Sequence, residues 1–465
     1  MKRIAPFITL CLLAPAAADV HAANNRSIDI NEMLIVAADT PTEGIESIQD
    51  MPMGQSDAEA SLLPEETSAA DDNLFGLEGG GYFHPYVSLE GAFTDNLYNV
   101  DDDTTSNFLT TLSPGIWFTM PRKRIIPISI TPHNTAPGGL ALQIGDYDAT
   151  DTIQLYALAG ADVLFYSEDS DLNTTDAEFE GLARYNMASG LSLQVLDRYA
   201  LDHDDFSVDR ATDANQREFQ SNIAMATADW DLTEKVRIKG DFSNFYLDYD
   251  DEVNDFLNRT DNSVDVYAYY NYSIKSSLFL EYKYTDVAYD TDTASDNDQN
   301  FYYGGVTWDT TEKLALRFKA GLQQKAFAEE SDGYEDSDNL ALDLQVLYRF
   351  TEKTQATLDL YNLNEESDST QASEREVFGV TFNYTQKVTE KITGKFGLFY
   401  ENADYNQLIG QDRQDDTFEF TPAIQYMFKD WLMGELAYSY ETTDSTEDIF
   451  DYTTNTVFFS LNFAL

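Results

Sequence analysis

The sequence predicts an all-β fold: a transmembrane antiparallel β-barrel of about 18 strands, preceded by a disordered acidic N-terminal segment. Three observations point there. Apolar and polar residues alternate in runs of about 13, short turns return every 38 to 40 residues, and the tryptophans gather beside those turns.

The chain opens MKRIAPFITLCLLAPAAADVHA, with Lys2 and Arg3 ahead of an apolar run from Ile4 to Ala18 and small residues at Val20 and Ala22. That is the pattern of a secretory signal peptide over 1–22, cleaved after Ala22. No later stretch offers the roughly 20 apolar residues a spanning helix needs. Cys11, the single cysteine, lies in this leader, so disulfides, Cys-bound metal, haem and Fe–S clusters are not expected of the mature chain. The formal net charge is −55, and losing Lys2, Arg3 and Asp19 takes it to −56. Nucleic acid is excluded as a partner for such a surface. A hydrophobic content of 43% nevertheless argues for a folded chain.

Residues 23–79 are rich in Ala, Asp, Glu, Ser and Gly and read as a mobile acidic periplasmic segment, with LIVAAD (34–39) a short docking piece. Over 80–465 the texture is that of half-buried strands. NLALDLQVLYRF (339–350) sets Leu340, Leu342, Leu344, Val346, Tyr348 and Phe350 against Asp343, Gln345 and Arg349; KLALRFKAGLQQ (313–324) and ITGKFGLFYE (392–401) behave alike. A soluble sandwich would alternate too; the repeat separates the two. Turns such as LTEKV (232–236), TTEKL (310–314) and VTEKI (388–392) are short, and acidic stretches such as DHDDF (202–206), DYDDEVNDF (248–256) and TTDSTEDIFD (442–451) lie midway between turns. Short turns at one end and longer polar loops at the other characterise outer-membrane barrels. Propeller blades share the period but divide it among four short strands.

Trp117, Trp230, Trp308 and Trp431 all lie near the short-turn end, an aromatic girdle at one membrane boundary, and tyrosine-rich stretches such as EYKYTDVAY (281–289) supply the other. An even strand count puts both termini in the periplasm of a Gram-negative bacterium, and about 18 strands enclose an aqueous lumen. Residues 121–156 break the rhythm with Pro121, Pro127, Pro132 and Pro137. This periplasmic-side insertion has three readings: a constriction in the pore, a docking segment using Arg122, Lys123 and Arg124, or a structured cap. The chain ends in TVFFSLNFAL, where Phe459, Leu461, Phe463 and Leu465 form one apolar face, a C-terminal signal for the barrel-assembly machinery on a strand expected to pair with the first.

No enzyme is expected, because His84, His133 and His203 lie in a strand, the insertion and a loop, none beside a nucleophile motif. No cofactor is expected either. The acidic loops lack the spacing of a calcium loop and read as a solvated rim that binds divalent cations loosely and bridges to lipopolysaccharide phosphates; a specific calcium site is the lesser reading. By parity the lumen carries Arg317, Lys319, Arg349 and Lys395 beside Glu281, Asp343, Glu419 and Glu435, with Tyr267 and Tyr269. Mixed charge with aromatic rings suits a polar polymer such as a polysaccharide; any water-filled barrel also looks this way.

The first hairpin (85–118) has Thr94-Asp95-Asn96 turning into an acidic loop, then Asn107-Phe108 and Leu112-Ser113-Pro114-Gly115 before its short turn. It resembles the opening of a family of porin-like outer-membrane β-barrels often encoded with exopolysaccharide synthesis genes. The resemblance implies a polysaccharide export pore set in outer-membrane lipid and lipopolysaccharide and served by periplasmic export proteins. A general or substrate-selective diffusion porin is the second reading, and a non-transporting adhesin or structural barrel the third.

Overall fold

The computed structural model describes residues 82–120, 152–204 and 217–464, apart from 274, 292–295, 312, 329–333, 352, 368, 370, 409–411 and 430. The signal peptide, the acidic segment, residues 121–151 with Arg122, Lys123, Arg124 and His133, and Leu465 lie outside the described residues.

Eighteen strands follow in chain order: β1 (Phe83–Thr94), β2 (Asn107–Met120), β3 (Ile153–Tyr166), β4 (Thr175–Asn186), β5 (Leu191–Asp204), β6 (Arg217–Thr233), β7 (Val236–Tyr249), β8 (Arg259–Ser273) and β9 (Ser276–Tyr289). The second half comprises β10 (Asn297–Thr311), β11 (Leu314–Phe327), β12 (Ser337–Thr351), β13 (Thr354–Glu366), β14 (Ala372–Lys387), β15 (Ile392–Gln407), β16 (Arg413–Lys429), β17 (Leu432–Ser445) and β18 (Tyr452–Ala464). Each pairs antiparallel with its chain neighbours, and β18 returns to β1 from Tyr86↔Ala464 to Thr94↔Thr456. The barrel is closed, which removes the exposed edges that a flat sheet leaves.

Side chains sort by parity. In β9, Leu278 and Leu280 are 55% and 69% exposed, whereas Phe279 and Glu281 are each 4% exposed. The apolar row therefore faces outward and the charges face inward, the reverse of a water-soluble sheet. The outer row of β12 runs from Leu340 to Phe350; ten steps of about 3.3 Å at a tilt near 40° give about 25 Å, the height of an apolar membrane band. Along its loop-side border, outward tyrosine hydroxyls donate to neighbouring strands: Tyr199 to Gln220 (3.0 Å), Tyr282 to Asn300 (2.8 Å), Tyr400 to Asp416 (2.6 Å) and Tyr438 to Asn455 (2.6 Å). At the other border Trp230, Trp308 and Trp431 are exposed on the outer face.

Trp117 departs from the expected girdle. It turns inward, its ring 5.0 Å from that of Tyr86 and 5.9 Å from His84. The reason is phase: the outward row of β2 is Phe108, Leu112 and Phe118, and Trp117 alternates with it. Two boundaries also shift. β3 begins at Ile153, so 153–156 is strand rather than insertion, and β5 runs to Asp204, so His203 sits on a strand and not in a loop.

The closing seam has its own fastener. Asp95 Oδ1 and Oδ2 accept from the backbone and side-chain amides of Asn455 (2.7 and 2.9 Å), and Asn96 Nδ2 donates to the carbonyls of Val100 (2.7 Å) and Thr453 (3.1 Å). The Thr94-Asp95-Asn96 turn thus ties the first loop to the last strand. Asn96→Ala removes both hydrogen bonds of this buried amide and is expected to cost about 1–3 kcal/mol, read as a lower temperature at which the compact band of an unboiled sample unfolds on a denaturing gel.

The inner face divides into sectors. From β3 to β7 it carries an oblique apolar patch, in which Tyr156, Leu182, Leu196, Phe219, Ile223, Phe245 and Leu247 pack together with Trp117 and Leu158 against them, beside the inward Glu178, Glu180 and Arg198. From β7 to β17 it is charged and aromatic.

Candidate functional site

One register row crosses nine consecutive strands on the polar side: Arg237, Tyr269, Phe279, Gly305, Lys319, Asp343, Tyr361, Gly379 and Glu401, each directly opposite the next from β7 to β15. Arg237 is the second residue after its short turn, whereas Glu401 lies in the loop-side half of its strand. Because the strands are staggered, the row climbs obliquely from the short-turn mouth towards the loop mouth.

Two glycines set the rings. A side chain at Gly305 would collide with the ring of Phe279, and one at Gly379 with the ring of Tyr361. Both rings therefore lie against the neighbouring strand instead of standing out into the lumen. Arg237 stacks on Tyr269 at 4.9 Å, and Lys319 on Tyr303 at 4.2 Å; Tyr269 and Phe279 meet at 5.3 Å. Tyr269, Tyr303 and Tyr361 are half-buried, each keeping surface on the lumen side.

Six inward cations are paired with carboxylates. Arg237 meets Asp229 (2.8 Å), Lys239 meets Asp241 (2.9 Å), Lys319 meets Glu281 (2.7 Å), Lys395 meets Glu435 (2.9 Å), Arg413 meets Asp415 (3.0 Å), and Arg198 meets Glu178. Such pairs hold long side chains in place while leaving little surplus field at the wall.

The residues singled out from sequence distribute as follows. Tyr269, Lys319 and Asp343 lie on the oblique row. Tyr267 and Glu281 lie opposite each other one row nearer the loops, where Tyr267 donates to Asp265 (2.7 Å). Arg317 is one row nearer the turns, opposite Gln345. Lys395 and Glu435 form their own buried pair across β16, and Glu419 accepts from Ser439 (2.8 Å) and Thr421 (2.9 Å) on the same inner face. Arg349 is exposed at the turn end, apart from the rest. Phe459 and Phe463 are exposed on the outer face of β18 with Leu461 between them in the same row. Phe279, Tyr303, Tyr361, Gly305 and Gly379 were not singled out; parity within their strands was the available signal.

Among the described residues, Asp176, Asp202 and His203 at the loop end of β4 and β5 bring metal-compatible atoms within 4.8 Å of one another. His203 Nδ1 already shares a 3.0 Å hydrogen bond with Asp176.

The family described as "Putative beta-barrel porin 2" matches residues 152–465. The chain belongs to this porin family. It is accordingly a porin-like β-barrel of the outer membrane. The match begins at β3, so the hairpin 85–118 that carries the sequence resemblance lies outside it. No curated protein matches this porin. Among solved structures it is similar to Acinetobacter baumannii OccAB3 and Pseudomonas aeruginosa OccK2 (OpdF), each at 10% identity and a TM-score of 0.43, covering 82% of this porin and 99% and 98% of theirs. A bacterial polysaccharide outer membrane secretin follows at 9% identity and a TM-score of 0.31, covering 82% and 98%. With TM-scores under 0.5, these three likenesses bear on neither substrate nor mechanism.

Proposed function

We propose that this porin is an export pore for a secreted polysaccharide, passing a neutral glycan chain along the oblique row from the short-turn mouth, on the periplasmic side with both chain ends, to the loop mouth. The observation that carries the reading is that row. Its half-buried tyrosines offer flat faces for the C–H faces of sugar rings, and its neighbouring ion pairs offer donors and acceptors for hydroxyl groups. Cations already engaged by carboxylates have little left with which to hold an acidic polymer, hence a neutral one. Passage needs no energy source at the pore, since weak, repeated sites let a chain enter and leave. Periplasmic export proteins would deliver the chain.

A substrate-selective diffusion porin is the second reading, favoured by the dense polar packing at the loop end of β8 to β17, where Arg259, Gln299, Gln323, Lys325, Glu366 and Arg413 are almost fully buried. Deleting the gene separates the two. Loss of surface and released polysaccharide with unchanged uptake of small hydrophilic solutes is expected; normal polysaccharide with reduced uptake would establish the diffusion porin instead.

A further inference from the structure

At the loop mouth the end of β13 parts from the wall strand before it. β11 and β12 stay paired out to Lys325↔Ser337, and β13 and β14 out to Glu366↔Glu374, but the ladder between β12 and β13 stops at Leu342↔Asn362. The β13 edge of the β13–β14 hairpin therefore parts from β12, while its β14 arm stays paired with β15 out to Ala372↔Gln407.

It folds inward. Gln323 points into the lumen from β11, two strands away, yet its Nε2 donates to the carbonyl of Asn364 (2.8 Å) and its Oε1 accepts the Asn364 N–H (2.8 Å). Adjacent strands lie about 4.8 Å apart, so one side chain reaches a backbone two strands away only when that backbone lies over the inner surface. Asn364, Glu365, Glu366 and Ser367 are buried in succession, whereas a wall strand exposes every second residue.

Glu366 anchors the tip. Its carboxylate accepts from Tyr289 Oη (2.8 Å), Gln299 Nε2 (2.7 Å) and Asn297 Nδ2 (3.3 Å) and pairs with Lys325 Nζ (2.8 Å), joining β9, β10 and β11 to β13. Glu374 on the other arm accepts from Ser337 Oγ (3.1 Å) and Asn406 Nδ2 (2.7 Å). Beside the tip, Tyr361 donates to Glu401 (2.5 Å), and Arg375 pairs with Glu365 (2.9 Å) and reaches Glu401 (3.9 Å). The oblique row thus ends at the tip.

We propose that this inturned end of β13 is the constriction of the pore and that Glu366 is the residue holding it there, so that it sets the cross-section of what passes. The proposal rests on the reading of the barrel as a conducting pore.

Single-channel recording of the full barrel in planar bilayers tests it. Replacing 366–374 by Asn-Gly keeps Glu365↔Arg375 as the last pair of a two-residue hairpin. Conductance is expected to rise several-fold, and Glu366→Gln is expected to flicker between the native and the enlarged level. A shortened barrel that folds, by its gel shift, and conducts no more than the native one overturns the constriction while leaving the pore reading intact. Silence from both native and shortened barrels overturns the two together. Should the shortened barrel not fold, Ser367→Cys in a Cys11→Ser background replaces it. A charged methanethiosulfonate reagent, its attachment followed by mass, is then expected to label this cysteine and reduce the current, and either a cysteine that stays unlabelled in the conducting barrel or a labelled barrel with unaltered current overturns the proposal.

Discussion

Lys325→Met is expected to destabilise the loop end of the barrel by about 3–5 kcal/mol, the cost of breaking a buried ion pair from one side. Lys325 is almost inaccessible, with Nζ 2.8 Å from Glu366 and 3.7 Å from Glu374 and stacked 4.8 Å from the ring of Phe327. Methionine preserves the length and the apolar stem, so what is lost is the charge that two carboxylates share. Those carboxylates would then face each other from opposite arms of one hairpin with no cation between them. The readout is the urea midpoint together with the temperature of the gel-shift transition, and combining Lys325→Met with Glu366→Gln is expected to recover part of the loss. Unchanged transitions for Lys325→Met would mean that water reaches this cluster and that its charges need no partner.

Gly379→Val is expected to impair glycan passage more than stability. The new side chain takes the place of the Tyr361 ring, which must swing off the wall and release Glu401. Overpacking of this kind costs about 1–3 kcal/mol. In bilayers, block of the current by neutral oligosaccharides is expected to weaken about tenfold, the equivalent of one lost ring contact of about 1.4 kcal/mol, and Tyr361→Ala is expected to match it. Native block by uronate-bearing oligosaccharides stronger than that by neutral ones of the same length would assign the pore to acidic polymers instead.

Much of the barrel was legible because a strand with one side in lipid has no freedom of phase. Leu340 to Phe350 could face only outward, which fixed Asp343 as inward, and the recurring turns fixed where each strand reversed. Trp117 shows the limit of reading by residue type: its clustering with other tryptophans suggested the girdle, while its phase against Phe108 and Phe118 put it inside. The start of β3 was hidden because ALAGA places small residues on both faces and erases the alternation. The apolar patch inside β3 to β7 was obscured for another reason, since Leu182 stands among Glu178, Glu180 and Arg184 on the inward row of β4 and Leu196 beside Arg198 on that of β5, so neither inward row looks apolar. The inturned end of β13 left a faint trace. After Leu358 and Leu360 the outward positions of β13 become Asn362, Asn364 and Glu366, side chains that do not belong in lipid.

The division of the inner face into sectors has a geometric consequence. Across β3 to β7 the apolar patch of Leu182, Leu196, Ile223 and Phe245 interrupts the inward charges, whereas the row from Arg237 to Glu401 runs unbroken over β7 to β15. The ring-bearing polar track is therefore eccentric, confined to one half of the wall rather than spread around the barrel axis. A chain threading it would touch a single wall, slide along that wall with one edge always leading, and emerge with its rings already oriented.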